Sequence, residues 1–232
     1  MTRIAIITGG SAGLGRALTL ALTHQDWHVI TDGRNPDRLA ATAAAAPPGT
    51  VTAVQGDIAD EDHRNDLMAA VEKHGQLDLL VNNAGILGPV SGDNPHRLLA
   101  DLTIEDIGHV WRQNVGAPLA LTTLAIPHLA ASGGTLLSIS SDAALEHYAG
   151  WGMYSASKAG LDHLTLTVAA ENPTITAYAV DPGDMRTQMH QDWFPGEDIS
   201  DRPLPETVVP HLLALLDGPA PSGRYRARDV AA

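Results

Sequence analysis

Tyr154 and Lys158 stand four residues apart in the segment Tyr154-Ser155-Ala156-Ser157-Lys158-Ala159. The segment suits a helix, and on a helix both side chains share one face. A phenol has a reference pKa of about 10, too high for easy proton exchange near neutrality, and a neighbouring ammonium favours its ionised form. Such a pair can act as an acid and a base. Taken alone, a Tyr and a Lys at this spacing are more often a solvated surface pair. Their company gives them weight: Ser141 lies thirteen residues before Tyr154 at the end of an apolar run, Asn114 sits in an earlier helical segment, and Asn82-Asn83-Ala84-Gly85 ends another apolar run.

A second feature with chemical meaning is Thr8-Gly9-Gly10-Ser11-Ala12-Gly13-Leu14-Gly15, directly after the first apolar run. Glycines let the backbone bend tightly and approach a pyrophosphate, and the free amides at a helix start stabilise its charge. A merely flexible turn is the plainer alternative, but placement between an apolar strand and a striped helix favours a nucleotide site. After the next run come Asp32, Gly33 and Arg34, where a Rossmann-like fold meets the adenosine ribose. Their charges argue oppositely, since a carboxylate accepts from the ribose hydroxyls of NAD and an arginine pairs with the extra phosphate of NADP. Asp57 either meets the adenine edge or leads the next helix.

The elements that must position these residues alternate between short apolar runs and helix-period segments, as when each strand is followed by a crossover helix. Strands are expected at Arg3–Ile7, His28–Thr31, Val51–Val54, Leu77–Asn82, Thr135–Ser140 and Ile175–Val180, with a last one at Gly223–Ala227. Leu14, Ala17, Leu18, Ala21 and Leu22 make one apolar stripe that should lie on the sheet. Asn35-Pro36 and Asp60 read as helix starts, and Thr103 with Asp106 has capping-box spacing. The helix that follows contains Asn114 and should bend or break at Gly116 and Pro118. Val208–Leu216 reads as a helix, and 185–205, rich in Asp, Pro and Gly, as a mobile loop or lid. The expected fold is α/β: a doubly wound, mainly parallel sheet with helices on both faces, in a single domain over 1–232.

Composition narrows the classes. A 44% hydrophobic fraction with 4% aromatics implies a core of Ala, Val, Leu and Ile. A formal net charge of -13 opposes binding to nucleic acid or an anionic membrane, and no basic face is evident. With no cysteine there is no disulfide or thiolate site, and no His spacing suggests a metal. The first residues lack the apolar core of a signal peptide and no stretch is expected to span a bilayer, so a cytoplasmic location is the expectation.

TGxxxGxG at 8–15, Asp57-Ile58, NNAG at 82–85, Asn114, Ser141, YxxxK at 154–158 and Pro182-Gly183 followed by Thr187 together resemble the short-chain dehydrogenase/reductase family. The resemblance implies a Rossmann-like oxidoreductase that interconverts a ketone or aldehyde and an alcohol by hydride transfer. Tyr154 would be the acid in reduction and the base in oxidation, and Lys158 would lower its pKa and hold the nicotinamide ribose. Ser141 would donate a hydrogen bond to the substrate oxygen, and Asn114 would anchor a water behind Lys158. Gly9, Ser11, Gly13, Leu14 and Gly15 would line the phosphates. Asp57, Ile58, Asn83, Ala84 and Gly85 would border the adenosine, with Pro182, Gly183 and Thr187 towards the nicotinamide. In this family the NAD-selecting acid stands where this chain has Gly33 and the NADP-selecting arginine where it has Arg34, so NADP(H) is favoured and NAD(H) stays possible. Asp142, after Ser141, departs from the small apolar residue commoner there. Leu145, His147, Trp151, Met185, Met189 and Trp193 would surround a small carbonyl or alcohol substrate, in a homodimer or homotetramer. A β-ketoacyl thioester is a second substrate class, and a dinucleotide-sensing regulator without turnover is a third reading.

Overall fold

The computed structural model describes residues 2–88 and 97–232. Its seven strands are β1 (Arg3–Ile7), β2 (Trp27–Gly33), β3 (Val51–Gln55), β4 (Leu79–Asn82), β5 (Thr135–Ile139), β6 (Thr176–Asp181) and β7 (Gly223–Arg226). They form one parallel sheet in the order β3-β2-β1-β4-β5-β6-β7. The helices are α1 (Gly13–Thr23), α2 (Pro36–Ala45), α3 (Glu61–Glu72), α4 (Ile104–Trp111), α5 (Ala117–Ser132), α6 (Gly152–Glu171), α7 (Gln188–Trp193) and α8 (Val209–Asp217).

Both faces of the sheet are covered, which is why its strands read as unbroken apolar runs. In β1, Ala5 and Ile7 pack with Leu14, Leu18 and Leu22 of α1 and with Leu212 and Leu215 of α8. Ile4 and Ile6 point the other way, among Leu67 of α3, Leu121 and Leu129 of α5 and Val168 of α6. β1 lies between β2 and β4, so the chain winds in opposite directions from it and opens a crevice at the carboxyl ends of these strands. The fold is Rossmann-like, doubly wound and a single domain, as expected.

The expected caps are present. Asn35 accepts from the Arg38 amide (3.0 Å), Asp60 from the Asp62 amide (3.1 Å), and Thr103 and Asp106 cap each other. Three expectations change. β2 runs on to Gly33 instead of stopping at Thr31, which makes Asp32 a buried strand residue. The α-helix through Asn114 is interrupted before Pro118, as expected, but it does not end there: Pro118 has no N–H for the Asn114 carbonyl, and Arg112–Gly116 widens into a π-turn in which the Ala117 amide reaches back to the Arg112 carbonyl. The continuous helix Ile104–Ser132 is consequently 29 residues long and, by length and apolarity alone, sufficient to cross a bilayer, against the expectation for any stretch. Here Leu121, Ala125 and Leu129 form part of the core. Finally, 185–205 is not all loop, because it holds α7, anchored by the buried Trp193, and Arg186 ties it together through the Ser200 carbonyl (2.6 Å).

Candidate active site

The carboxyl ends of the strands border one cleft of ≈ 370 Å³ that runs from the glycine-rich turn to Tyr154. Gly9 and Gly13 line it with φ of 73° and 53°, a region that side chains other than glycine's rarely adopt. Ser11 and Leu14 line it too. Gly15 does not: a Cβ there would lie 2.5 Å from the Gly9 carbonyl oxygen and meet the Asn83 amide, so its role is close packing inside the turn. Ala12 begins α1 without any side-chain cap, leaving the first amides of the helix for a ligand anion. Thr8 joins the turn to β4, its hydroxyl accepting from the Asn83 and Ala84 amides, both at 3.0 Å. Asn83 returns the tie by donating to the Thr8 carbonyl (2.7 Å).

Asp32, whose charge had argued for NAD, is only 2% exposed, and its carboxylate is committed to the Gly9 amide and to His63 Nε2 (3.0 Å). It braces the turn from behind. Arg34 and Arg38 are exposed cations on the same end of the cleft. Asp57 lines the cleft and its side chain accepts from the Ala59 amide (2.9 Å) in the turn before α3, whose cap is Asp60. Burial alone would raise its pKa, but the hydrogen bonds from Ala59 and Gln113 and the charge of Arg34 hold its carboxyl below the usual range. Ile58, Asn83, Ala84 and Gly85 complete this end. The residues provide a glycine cradle, uncapped helix amides and two cations, which fit a dinucleotide with its phosphates.

At the other end, α6 presents Tyr154 and Lys158 one turn apart, both buried, with Lys158 Nζ 5.7 Å from the centre of the phenol ring. Lys158 donates to the Ile139 carbonyl at the end of β5 (2.7 Å). Ser141 follows β5, its hydroxyl accepts from the Ala143 amide (3.2 Å) and donates to Asp142 (3.0 Å), and it lines the cleft together with Tyr154. Asp142 is therefore built in: it also accepts from Ala143 (2.7 Å) and from the Tyr148 hydroxyl (2.9 Å). The Asn114 amide is held by the backbone of Ile86 on both sides (2.8 Å each) and donates to Ser157 (3.0 Å). A Cβ on Gly85 would lie 3.1 Å from Asn114 Oδ1 and 3.6 Å from Lys158 Nζ, so the glycine keeps the space between them open.

Burial sets both pKa values. It lowers the Lys158 ammonium to about 8 against the opposing charge of Asp162. It raises the Tyr154 phenol, with the Ser141 hydrogen bond opposing and Asp142, Asp181 and Asp162 adding to the rise. In this state burial and the three carboxylates set the net direction for Tyr154, upward, and hold the phenol protonated.

Of the expected substrate wall, Trp151, Met185 and Met189 line the cleft, as do Pro182, Gly183 and Thr187. Leu145 and His147 do not, because the segment after the Asp142–Ala144 turn carries them outward into solvent. Trp193 stands behind the wall, edge-on to Trp151 with ring centres 5.3 Å apart. Sequence reasoning missed His63, Arg38, Gln113, Leu87 and His190. Of these, Arg38 lies in the first turn of α2, four residues after Arg34, which precedes the helix.

A short chain dehydrogenase family model matches residues 3–198. An uncharacterised oxidoreductase of Saccharomyces cerevisiae is 32% identical over 191 residues, covering 82% of this chain and 73% of the relative. The benzil reductase ((S)-benzoin forming) of the same yeast is 30% identical over 199 residues, covering 83% and 75%. Among solved structures, a short-chain dehydrogenase of Shigella flexneri complexed with NADP superposes with a TM-score of 0.87 at 26% identity, covering 97% of each chain. Strand order, glycine turn and the Ser141, Tyr154 and Lys158 grouping thus coincide with a sequence match over most of the chain, which belongs to the short-chain dehydrogenase/reductase family of oxidoreductases.

Proposed function

We propose that this protein reduces the carbonyl of a small, apolar, ring-bearing compound at the expense of NADPH, with Tyr154 as the proton donor. The observation that carries the reading is a buried Tyr154 that lines the cleft together with Ser141, with buried Lys158 on the same helix face, at one end of the cleft whose other end is the glycine turn. When bound, NADPH supplies the hydride to the carbonyl carbon. Ser141 and Tyr154 converge on the carbonyl oxygen, where Ser141 stabilises developing charge and Tyr154 gives up its proton. Lys158, held by the Ile139 carbonyl, supplies the positive charge that eases loss of that proton and donates to the cofactor ribose. Asn114 holds the Ile86 backbone beside the space next to Lys158, where a water would sit to resupply protons.

Two observations support NADPH over NADH. The one carboxylate at the end of β2 is buried in bonds to Gly9 and His63, and Arg34 and Arg38 border the adenosine end as exposed cations suited to a phosphate. Trp151, Met185 and Met189 supply an apolar wall, and the similarity to a benzil reductase supports an aromatic ketone as substrate. The test is oxidation of NADPH and NADH against a panel of aliphatic, aryl and diaryl ketones. Turnover with NADPH and the aryl members is the expected outcome. A protein that binds NADPH yet turns over none of them refutes the reading.

A further inference from the structure

Arg224 lies on β7, far along the chain from Ser141, and it joins two groups next to the reacting end of the cleft. Its Nη2 donates to the Ser141 backbone carbonyl (2.7 Å) and its Nε to Asp162 Oδ2 (2.9 Å). The pair is largely buried, with side-chain exposures of 18% and 11%. The same Asp162 oxygen accepts from the Ser140 hydroxyl (2.8 Å). Both residues that leave β5 are thus tied to one ion pair, Ser140 by its side chain and Ser141 by its main chain. Asp162 is also one helical turn after Lys158 on α6.

We propose that Asp162 and Arg224 are a positioning pair that holds the Ser141 backbone so that its hydroxyl is aimed at the reacting end of the cleft, and that Asp162, one helical turn from Lys158, supplies the counter-charge to its ammonium; this rests on the roles given to Ser141, Tyr154 and Lys158 above. A buried ion pair is weak evidence of stabilisation, because desolvation cancels much of its Coulomb energy. Its geometry is the better clue. The planar guanidinium reaches two acceptors at once in a fixed fork, which a lysine cannot do. Among the described residues, the charged groups around the site are Asp162 on α6, Asp142 after β5, Asp181 at the end of β6, Asp184 in the segment that follows it, and Arg224 and Arg226 on β7. Of these, Asp162 is the one that resists the loss of charge burial imposes on Lys158.

The experiment compares Arg224→Lys and Asp162→Asn with the wild-type protein in steady-state kinetics, NADPH affinity by fluorescence and thermal unfolding. Arg224→Lys keeps a cation for Asp162 but loses the second bond. It should fold and bind NADPH normally while kcat falls about tenfold to a hundredfold at little-changed KM. Asp162→Asn should move the alkaline limb of the kcat/KM profile to lower pH by about one pH unit, since Lys158 loses its stabilising charge. Arg224→Lys should leave that limb in place. Wild-type kcat in folded Arg224→Lys, or an unmoved limb in Asp162→Asn, overturns the proposal, as does a loss confined to melting temperature. Tyr154→Phe run alongside separates the two failures: if it remains active the proposed function falls, and if it is inactive while both pair variants behave as wild type, only the pair is wrong.

Discussion

Installing an acid at Gly33 is the obvious way to turn the adenosine end towards NADH, and here it should fail by itself. A Cβ on Gly33 lies 2.6 Å from both the Cβ and the Oγ of Ser11. Carbon atoms prefer about 3.5–4.0 Å, so the overlap is about 1 Å. Rotating the Ser11 hydroxyl relieves one contact, but the Ser11 Cβ is fixed by the backbone of the glycine turn. That turn is in turn held by Asp32 at Gly9 and by Thr8 at Asn83 and Ala84. Overpacking of this kind costs about 1–3 kcal/mol. The cost falls on the conformation that cradles the phosphates, so Gly33→Asp should weaken both NADPH and NADH by about 5- to 150-fold. A hydrogen bond that the new carboxylate accepts from a ribose hydroxyl returns about 1.5–3 kcal/mol at most, and only to NADH, offsetting part or all of its loss.

Ser11→Gly removes both clashing atoms, so the acid and the small residue should act as a unit. The assay is a double-mutant cycle on NADH and NADPH dissociation constants, measured by fluorescence titration for the wild type, each single variant and the double variant. The double variant should bind NADH better than Gly33→Asp alone, with a coupling of about 1–3 kcal/mol that cancels whatever Ser11 contributes elsewhere. Additive effects, or a single Gly33→Asp variant that binds NADPH as tightly as the wild type does, would show that the contact imposes no restriction.

Tyr154→Phe should keep NADPH binding and lose carbonyl reduction by about a hundredfold or more, since the ring remains and the proton donor does not; undiminished turnover counts against Tyr154. Arg34→Ala should weaken NADPH far more than NADH, by about tenfold or more for a lost charge-assisted contact, and equal losses in the two titrations would return the choice of cofactor to other residues. Lys158 has its pKa lowered to about 8, so it is charged below that pH and neutral above it. The kcat/KM for reduction should therefore fall as pH rises through about 8, and a profile flat to pH 10 would mean that burial does not control this ammonium.

What the sequence made legible was whatever a local backbone requirement or a short spacing records. The glycine turn, the caps at Asn35, Asp60 and Thr103, and the helical pairing of Tyr154 with Lys158 all depend on residues within a few positions of each other. His63 with Asp32 and Arg224 with Asp162 lie 31 and 62 residues apart, and nothing in either local segment marks them as partners. His63 reads as one more polar residue of a surface helix. The substrate wall divides in the same way. Trp151 begins a helix that already has a direction, whereas Leu145 and His147 sit in a turn whose sequence does not say which way its side chains face. Gly116 and Pro118 did mark the interruption of the long helix, but not its form: a π-turn at Arg112–Gly116 absorbs the missing donor and lets the helix continue.

The sign of the Tyr154 shift shows the limit most sharply. Spacing places an ammonium beside the phenol, but it says nothing of how far water is excluded or which carboxylates face the ring. Asp142, Asp162 and Asp181 come from three separate elements and all oppose ionisation, adding to the effect of burial. A phenol kept protonated is an acid in waiting, and as a base it must first lose that proton against three negative charges. On the proposed reading these surroundings bias the site towards carbonyl reduction near neutrality, with alcohol oxidation the direction that has to work against them.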